Sequence, residues 1–148
     1  MPAPKLAPFV LALLLGAAAA AHDYAKAGLF VDHPWMPVTA SGLEAPVYFS
    51  IENRGETADR LLAASTPRAR AVELREGSRR LHTGIEVGAG AKLALEGGPY
   101  GVVLIGPATP LSKGQSFPLS LRFESAGELE VVIHVEPRQP ARGQKGTP

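Results

Sequence analysis

The stretch "FPLSLRFESAGELEVVIHV" limits what this chain can fold into more than any other. Phe117, Leu119, Leu121 and Phe123 alternate with Pro118, Ser120, Arg122 and Glu124, a period of two that turns one face inward and leaves the other in water. Gly127 in "ESAGELE" supplies a reversal into "LEVVIHV", so the two runs are predicted to form an antiparallel hairpin. The runs "GLFVDH", "APVYFSIEN", "DRLLAAST", "RAVELRE", "AKLALEG" and "YGVVLIG" are also short and β-like, set apart by Gly, Pro, Asp, Asn and Ser. No run keeps a helical period with a cap at each end. Short strands at roughly 8 to 12 residue spacing predict an all-β chain, a Greek-key sandwich or barrel.

A length of 148 residues, 45% hydrophobic and 20% charged, suffices for a single domain with its own core. The opening "MPAPKLAPFVLALLLGAAAAAHDY" has a lysine, an apolar run from Leu6 to Leu15 and a string of alanines, the pattern of an export signal over residues 1–21. At about 16 residues, the longest apolar reading of it falls short of the roughly 20 that a membrane span needs. Cleavage near Ala21 would leave His22 at a new amino terminus, in a periplasmic or secreted protein with no remaining membrane span. The domain is expected over 22–136, and 137–148, "PRQPARGQKGTP", as a disordered tail, because it cannot bury enough apolar surface to order itself.

The net charge of +1 spreads over 15 basic and 14 acidic residues, which gives no basic field for nucleic acid. Cysteine is absent, and with it disulfides, thiolate metal sites and thiol nucleophiles. No nucleophile elbow is visible, and Glu73, Glu76 and Glu86 read as solvated charges, so no enzyme is expected. Metal ligation would fall on four histidines and on Met36, since Met1 belongs to the leader. Each has a competing role. His33, in "DHPWMP", reads as the packed, rigid start of a strand beside Trp35. His134, at the polar phase of "VVIHV", reads as a surface or edge residue. His22 could bind Cu(II) with a freed amine. His82 follows "REGSRRL" in a predicted hairpin loop among Arg75, Arg79 and Arg80, whose charge repels a metal ion. His22, His82 and Met36 stand as candidates for a relocated metal site.

Taken in order, "HPWMPVTASGLEAPVYFSIENRGETADRLLAASTPRARAVELRE", "LALEGGPYGVVLIG" and "PLSKGQSFPLSLRFESAGELEVVIHV" resemble the periplasmic copper chaperone family PCu(A)C from about Gly28 to Val135. The elements that carry the resemblance are His33–Trp35, the "IEN.G...DRLL" run from Ile51 to Leu62, "VEL" at Val72–Leu74, the Gly97-Gly98 turn and the final hairpin. The resemblance implies a cupredoxin-like, immunoglobulin-like β-sandwich that holds Cu(I) at an exposed His/Met site and passes it to cuproenzymes, notably during cytochrome oxidase assembly. Soft thioether and imidazole donors suit Cu(I). The family pattern has a His after "VEL", a Met about ten residues on, and a His-x-Met pair past the Gly-Gly turn. Those positions hold Arg75, Arg79 or Arg80, Gly101 and Val103, none of which offers a soft donor. A guanidinium stays protonated and has no lone pair.

Two functions remain open on this reading. One is an exported copper-handling protein without the usual Cu(I) ligands, with a periplasmic cuproenzyme or assembly factor as partner and any copper held at a relocated site or with a partner's help. The other is a metal-free module that meets an acidic protein through its arginine-rich loop.

Overall fold

The computed structural model describes residues 23–39, 42, 44–108 and 110–137. The expected leader, His22 and all of the tail but Pro137 lie outside the described residues. Eleven strands follow one another: β1 (Asp23–Lys26), β2 (Leu29–Pro37), β3 (Glu44–Asn53), β4 (Asp59–Ser65), β5 (Ala69–Glu76), β6 (Arg79–Arg80), β7 (Ile85–Val87), β8 (Lys92–Ala94), β9 (Tyr100–Pro107), β10 (Ser116–Phe123) and β11 (Gly127–Glu136). There is no helix among the described residues. The sheet runs β6-β5-β9-β3-β2-β11-β10-β4-β7, with β1 added to β2 and β8 to β3. Every pairing is antiparallel except the parallel β11–β2 contact. The fold is thus all-β, as the strand spacing predicts, and it agrees with the cupredoxin-like architecture that the family resemblance implies.

The predicted hairpin is β10–β11, in which Phe117 faces Ile133, Leu119 faces Val131 and Leu121 faces Leu129. Phe117, Leu119, Leu121 and Phe123 are all buried, each contributing roughly 1.5–3 kcal/mol of apolar burial. Gly127 closes the turn at φ +80°, where a side chain would be strained.

Strand β3 is the corner of the molecule. Its first half, Glu44 to Val47, pairs with β9, and its second half, Ser50 to Glu52, pairs with β8. One continuous chain of strands therefore folds over a single core that includes Val31, Met36, Val47, Ile51, Leu61, Leu104 and Ile133.

Two buried polar side chains organise the loops around it. Asn53 donates from Nδ2 to the carbonyls of Thr57 at 2.9 Å and Val87 at 3.0 Å, and its Oδ1 accepts from the Gly55 amide at 3.0 Å. Asp59 accepts from the amides of Arg60, Ser125 and Ala126 at 2.7, 2.9 and 3.0 Å. The "IEN.G...DRLL" run is therefore a structural signature: its Asn satisfies two carbonyls and one amide, and its Asp three amides, of the surrounding loops.

Three features differ from the sequence reading. Strand β2 does not begin at His33 but runs through it to Pro37, because Trp35, Met36 and Pro37 gain a second partner in β11. His134 is half-buried on an interior strand, between Ser116 and Trp35, and is not at a sheet edge. Strand β1 is additional. It is anchored by the Tyr24 hydroxyl, which accepts from the Val132 amide at 3.0 Å, and by Lys26, whose Nζ donates to the Glu128 carbonyl at 2.8 Å.

Candidate functional site

On β5 and β9 the alternation sends Leu74, Val102 and Leu104 into the core and turns Glu73, Arg75, Gly101 and Val103 to the opposite face. Arg75 lies directly across from Gly101, and Glu73 across from Val103. Strand β3 adds Pro46 beside Val103 and Glu44 beside Ile105. Three of the four positions that family resemblance marks for copper ligation, 75, 101 and 103, thus share one face.

The turn that frames this face needs both of its glycines. Gly97 has φ +74°, and a Cβ on Gly98 would stand 2.5 Å from the Ala94 carbonyl oxygen. The Gly77 amide donates to the Pro99 carbonyl at 2.9 Å, which ties the β5–β6 turn to the start of β9.

What fills the face is an ion-pair cluster. The Arg75 guanidinium forks onto Glu44, with Nη1 to Oε2 at 2.8 Å and Nη2 to Oε1 at 2.7 Å. It also donates to Glu73 Oε2 from Nε at 3.0 Å and from Nη2 at 2.8 Å. Its side chain is 17% exposed and that of Glu73 is 20% exposed, so solvent screens this pair only partly. Hydrogen bonds from Glu44 and then Glu73 push the Arg75 pKa above the ordinary arginine value. The Arg75 hydrogen bonds hold the Glu44 carboxyl below its ordinary value. Arg80 approaches Glu73 Oε1 at 3.8 Å, and Arg79 pairs with Glu76.

This arrangement corrects the picture of an arginine-rich loop that reaches for an acidic partner. Arg75 sits in a strand, Arg79 and Arg80 form β6, and all three face carboxylates of this same chain. The glutamate that answers Arg75 was not foreseen, because Glu44 is 31 residues away in sequence and meets it only through the strand order β5-β9-β3. Glu73 could have been found, since residues two apart on a strand share a face.

The other candidates are scattered. Met36 is 0% exposed, within the core. His82 is exposed just after β6. No three His, Cys, Asp or Glu side chains come together to hold a metal ion among the described residues.

His33 occupies a different setting. Asp32 faces Ser50 and Trp35 faces Tyr48, so three steps on β2 match two on β3 and one residue is extra: a β-bulge. His33 takes the bulge at φ +50°, a left-handed conformation that costs a side-chain-bearing residue roughly 1–2 kcal/mol. The bulge exposes its ring, 6.5 Å from that of Trp35, which in turn lies 5.3 Å from the Tyr48 ring, tilted by 39°. Together with Asp32, Ser50, Ala94 and Glu96 these rings line a cleft of about 160 Å³. Of this group the sequence reading singled out only His33 and Trp35; Tyr48, Asp32, Ser50, Ala94 and Glu96 join them through the β2–β3–β8 pairing.

Comparisons with known proteins agree with the geometry. The profile of the LpqE-like family, which is named for lipoproteins, matches residues 29–135. A protein of Leifsonia xyli subsp. xyli, also named as a lipoprotein, is 27% identical over 117 residues, which span 74% of this chain and 70% of that protein. The apo PCuAC domain from PmoF1 superposes with a TM-score of 0.70 at 27% identity, over 79% of this chain and 100% of that domain. The copper-bound PCuAC domain from PmoF2 gives 0.71 at 24% identity, over 79% of this chain and 99% of that domain.

Proposed function

Because this chain belongs to the LpqE-like family and shares its fold with PCuAC domains, we propose that it is an exported, non-enzymatic copper-handling protein that does not itself hold Cu(I) on the β5–β9 face. In this role it serves delivery of copper to a cuproenzyme such as cytochrome oxidase, in company with a periplasmic assembly factor. The observation that carries the reading is Arg75, fixed by Glu44 and Glu73 directly opposite Gly101. A protonated guanidinium offers a soft cation no lone pair and repels it. The neighbouring positions 101 and 103 offer no donor atom at all.

Copper need not be absent from the function for it to be absent from this face. A framework that keeps the family's turn and strands can still meet the proteins that carry and receive the metal. The family's lipoprotein naming supports export. No helix among the described residues is long and apolar enough to cross a membrane.

Two measurements test the parts separately. Titration of the exported form with Cu(I) against a chromogenic chelator is expected to show no transfer of metal; stoichiometric uptake would overturn the ligand-free reading. A strain lacking this chain is expected to lose cytochrome oxidase activity when copper is limiting, and to regain it when the gene is restored. Equal activity with and without the gene at limiting copper would overturn the copper-handling role.

A further inference from the structure

The charges around His33 are arranged in the opposite way to those around Arg75. Asp32 on β2, Ser50 on β3 and Ala94 on β8 form one row across three strands. Ser50 and Ala94 are short, so the sheet is left open beside the Asp32 carboxylate. Glu96 stands two residues past Ala94 on the rim of the same cleft. The rings of His33, Trp35 and Tyr48 supply its aromatic side.

The carboxylates of Asp32 and Glu96 have no ion-pair or hydrogen-bond partner among the described residues, in contrast to those of Glu44, Glu52, Glu73, Glu76 and Glu86, each of which meets an arginine. Asp32 and Ser50 also border an adjoining trough, whose other lining includes Phe30, Glu52 and the nearby cations: Lys92, and Arg54, which is held by Glu52 with its guanidinium 3.9 Å above the Phe30 ring. At about 160 Å³ the His33 cleft is too small for a drug-sized ligand, which takes about 300–1,000 Å³. It has the scale of one side chain.

We propose that the cleft bounded by His33, Trp35 and Tyr48 is a docking point for an arginine side chain of a protein partner, stacked on the Tyr48 ring and answered by Asp32 and Glu96. A guanidinium is planar, stacks on aromatic faces and presents several donors at once, whereas an ammonium is a compact, strongly hydrated point charge. The bulge that strains His33 is what opens its ring to this cleft, so the backbone conformation belongs to the site. The interaction is independent of copper.

Trp35 is the only tryptophan in the chain, so its fluorescence reports directly on the cleft. The exported protein, free of copper, is titrated with the peptide acetyl-Gly-Arg-Gly-amide, with its uncharged citrulline counterpart and with tetramethylammonium. The arginine peptide is expected to give a saturable change in Trp35 emission, with NMR shifts confined to the Trp35 indole, the His33 and Tyr48 rings and the β2–β3–β8 rows. Citrulline should give none, and tetramethylammonium a weaker change. Asp32→Asn and Glu96→Gln should each weaken the arginine response about two- to fivefold. Their unchanged melting curves would show that both variants fold. No saturable change, an equal response to citrulline or to tetramethylammonium, shifts centred on Glu44 and Glu73, or indifference to both substitutions would each overturn the proposal.

Discussion

Two outer faces of this molecule use charge in contrasting ways. On the β5–β9–β3 face Arg75 is answered twice by the chain's own carboxylates and sits on regular strands. On the β2–β3–β8 face Asp32 and Glu96 are unanswered, and the backbone bends through a strained histidine to expose an aromatic cleft. A closed network adds to the stability of the fold. An open one holds interaction energy for something that arrives from outside, and local strain at such a place is a mark of use.

The contrast breaks most sharply if the closed face can be reopened to copper. Changing Arg75→His, Gly101→His and Val103→Met together should let the protein take one equivalent of Cu(I) from a chromogenic chelator, where wild type is expected to take none. The geometry permits it. Positions 75 and 101 are cross-strand partners, 103 lies on the same face, and a Cβ on Gly101 would meet nothing closer than Val103 Cγ2 at 4.0 Å. Continued failure to compete for Cu(I) in a folded triple variant would mean that the frame itself, and not only its donor atoms, has diverged.

Stability measurements separate the faces next. Arg75→Ala leaves Glu44 and Glu73 on one face without their shared cation, and should lower the free energy of unfolding in urea by about 1–2 kcal/mol. Asp32→Asn, which breaks no internal pair, should stay within about 0.5 kcal/mol of wild type. If the two variants unfold alike, the Arg75 cluster contributes nothing beyond a solvated surface.

His33 tests the strained side. His33→Gly removes the penalty of φ +50° while adding backbone freedom to the unfolded chain, so a net gain of about 0.5–1 kcal/mol is expected. The same change should weaken the response of Trp35 to the arginine peptide, since one wall of the cleft is gone. A variant that loses stability would show that the imidazole, and not the backbone bend, holds the bulge together.

How much of this was legible in the sequence depended on where each partner lay. The β10–β11 hairpin could be read because its period of two and its turn glycine are contiguous. That Arg75, Gly101 and Val103 offer no soft donor follows from residue type alone, but their sharing one face took the β5–β9 pairing to see. The His33 bulge was not legible, since Trp35 to Pro37 continue the strand by pairing with β11, about a hundred residues on. Nor was the Arg75 cluster: a run of arginines looks like a free basic loop until β3 brings Glu44 to it. The family-like "IEN.G...DRLL" run was visible as a pattern, but its cause, loop carbonyls and amides satisfied by Asn53 and Asp59, required the folded loops.

The smallest effect is acid sensitivity of the closed face. Hydrogen bonding to Arg75 lowers the Glu44 pKa in the folded protein, whereas the unfolded chain has no such bond. The folded state therefore binds the proton less readily, and the stabilisation from this pair is fully present above the ordinary carboxylate pKa. It is lost as pH falls through the lower, folded value. Glu44 is about half exposed, so salt should screen the pair, and the effect should shrink further at 1 M ionic strength. Glu44→Gln should flatten the acid limb of the stability-versus-pH curve slightly and leave the neutral limb parallel to wild type. Asp32→Asn, on the open face, should not reproduce that change, because it breaks no ion pair among the described residues. An identical acid limb in wild type and Glu44→Gln would show that Glu44 does not share in closing the face, and that Glu73 alone answers Arg75.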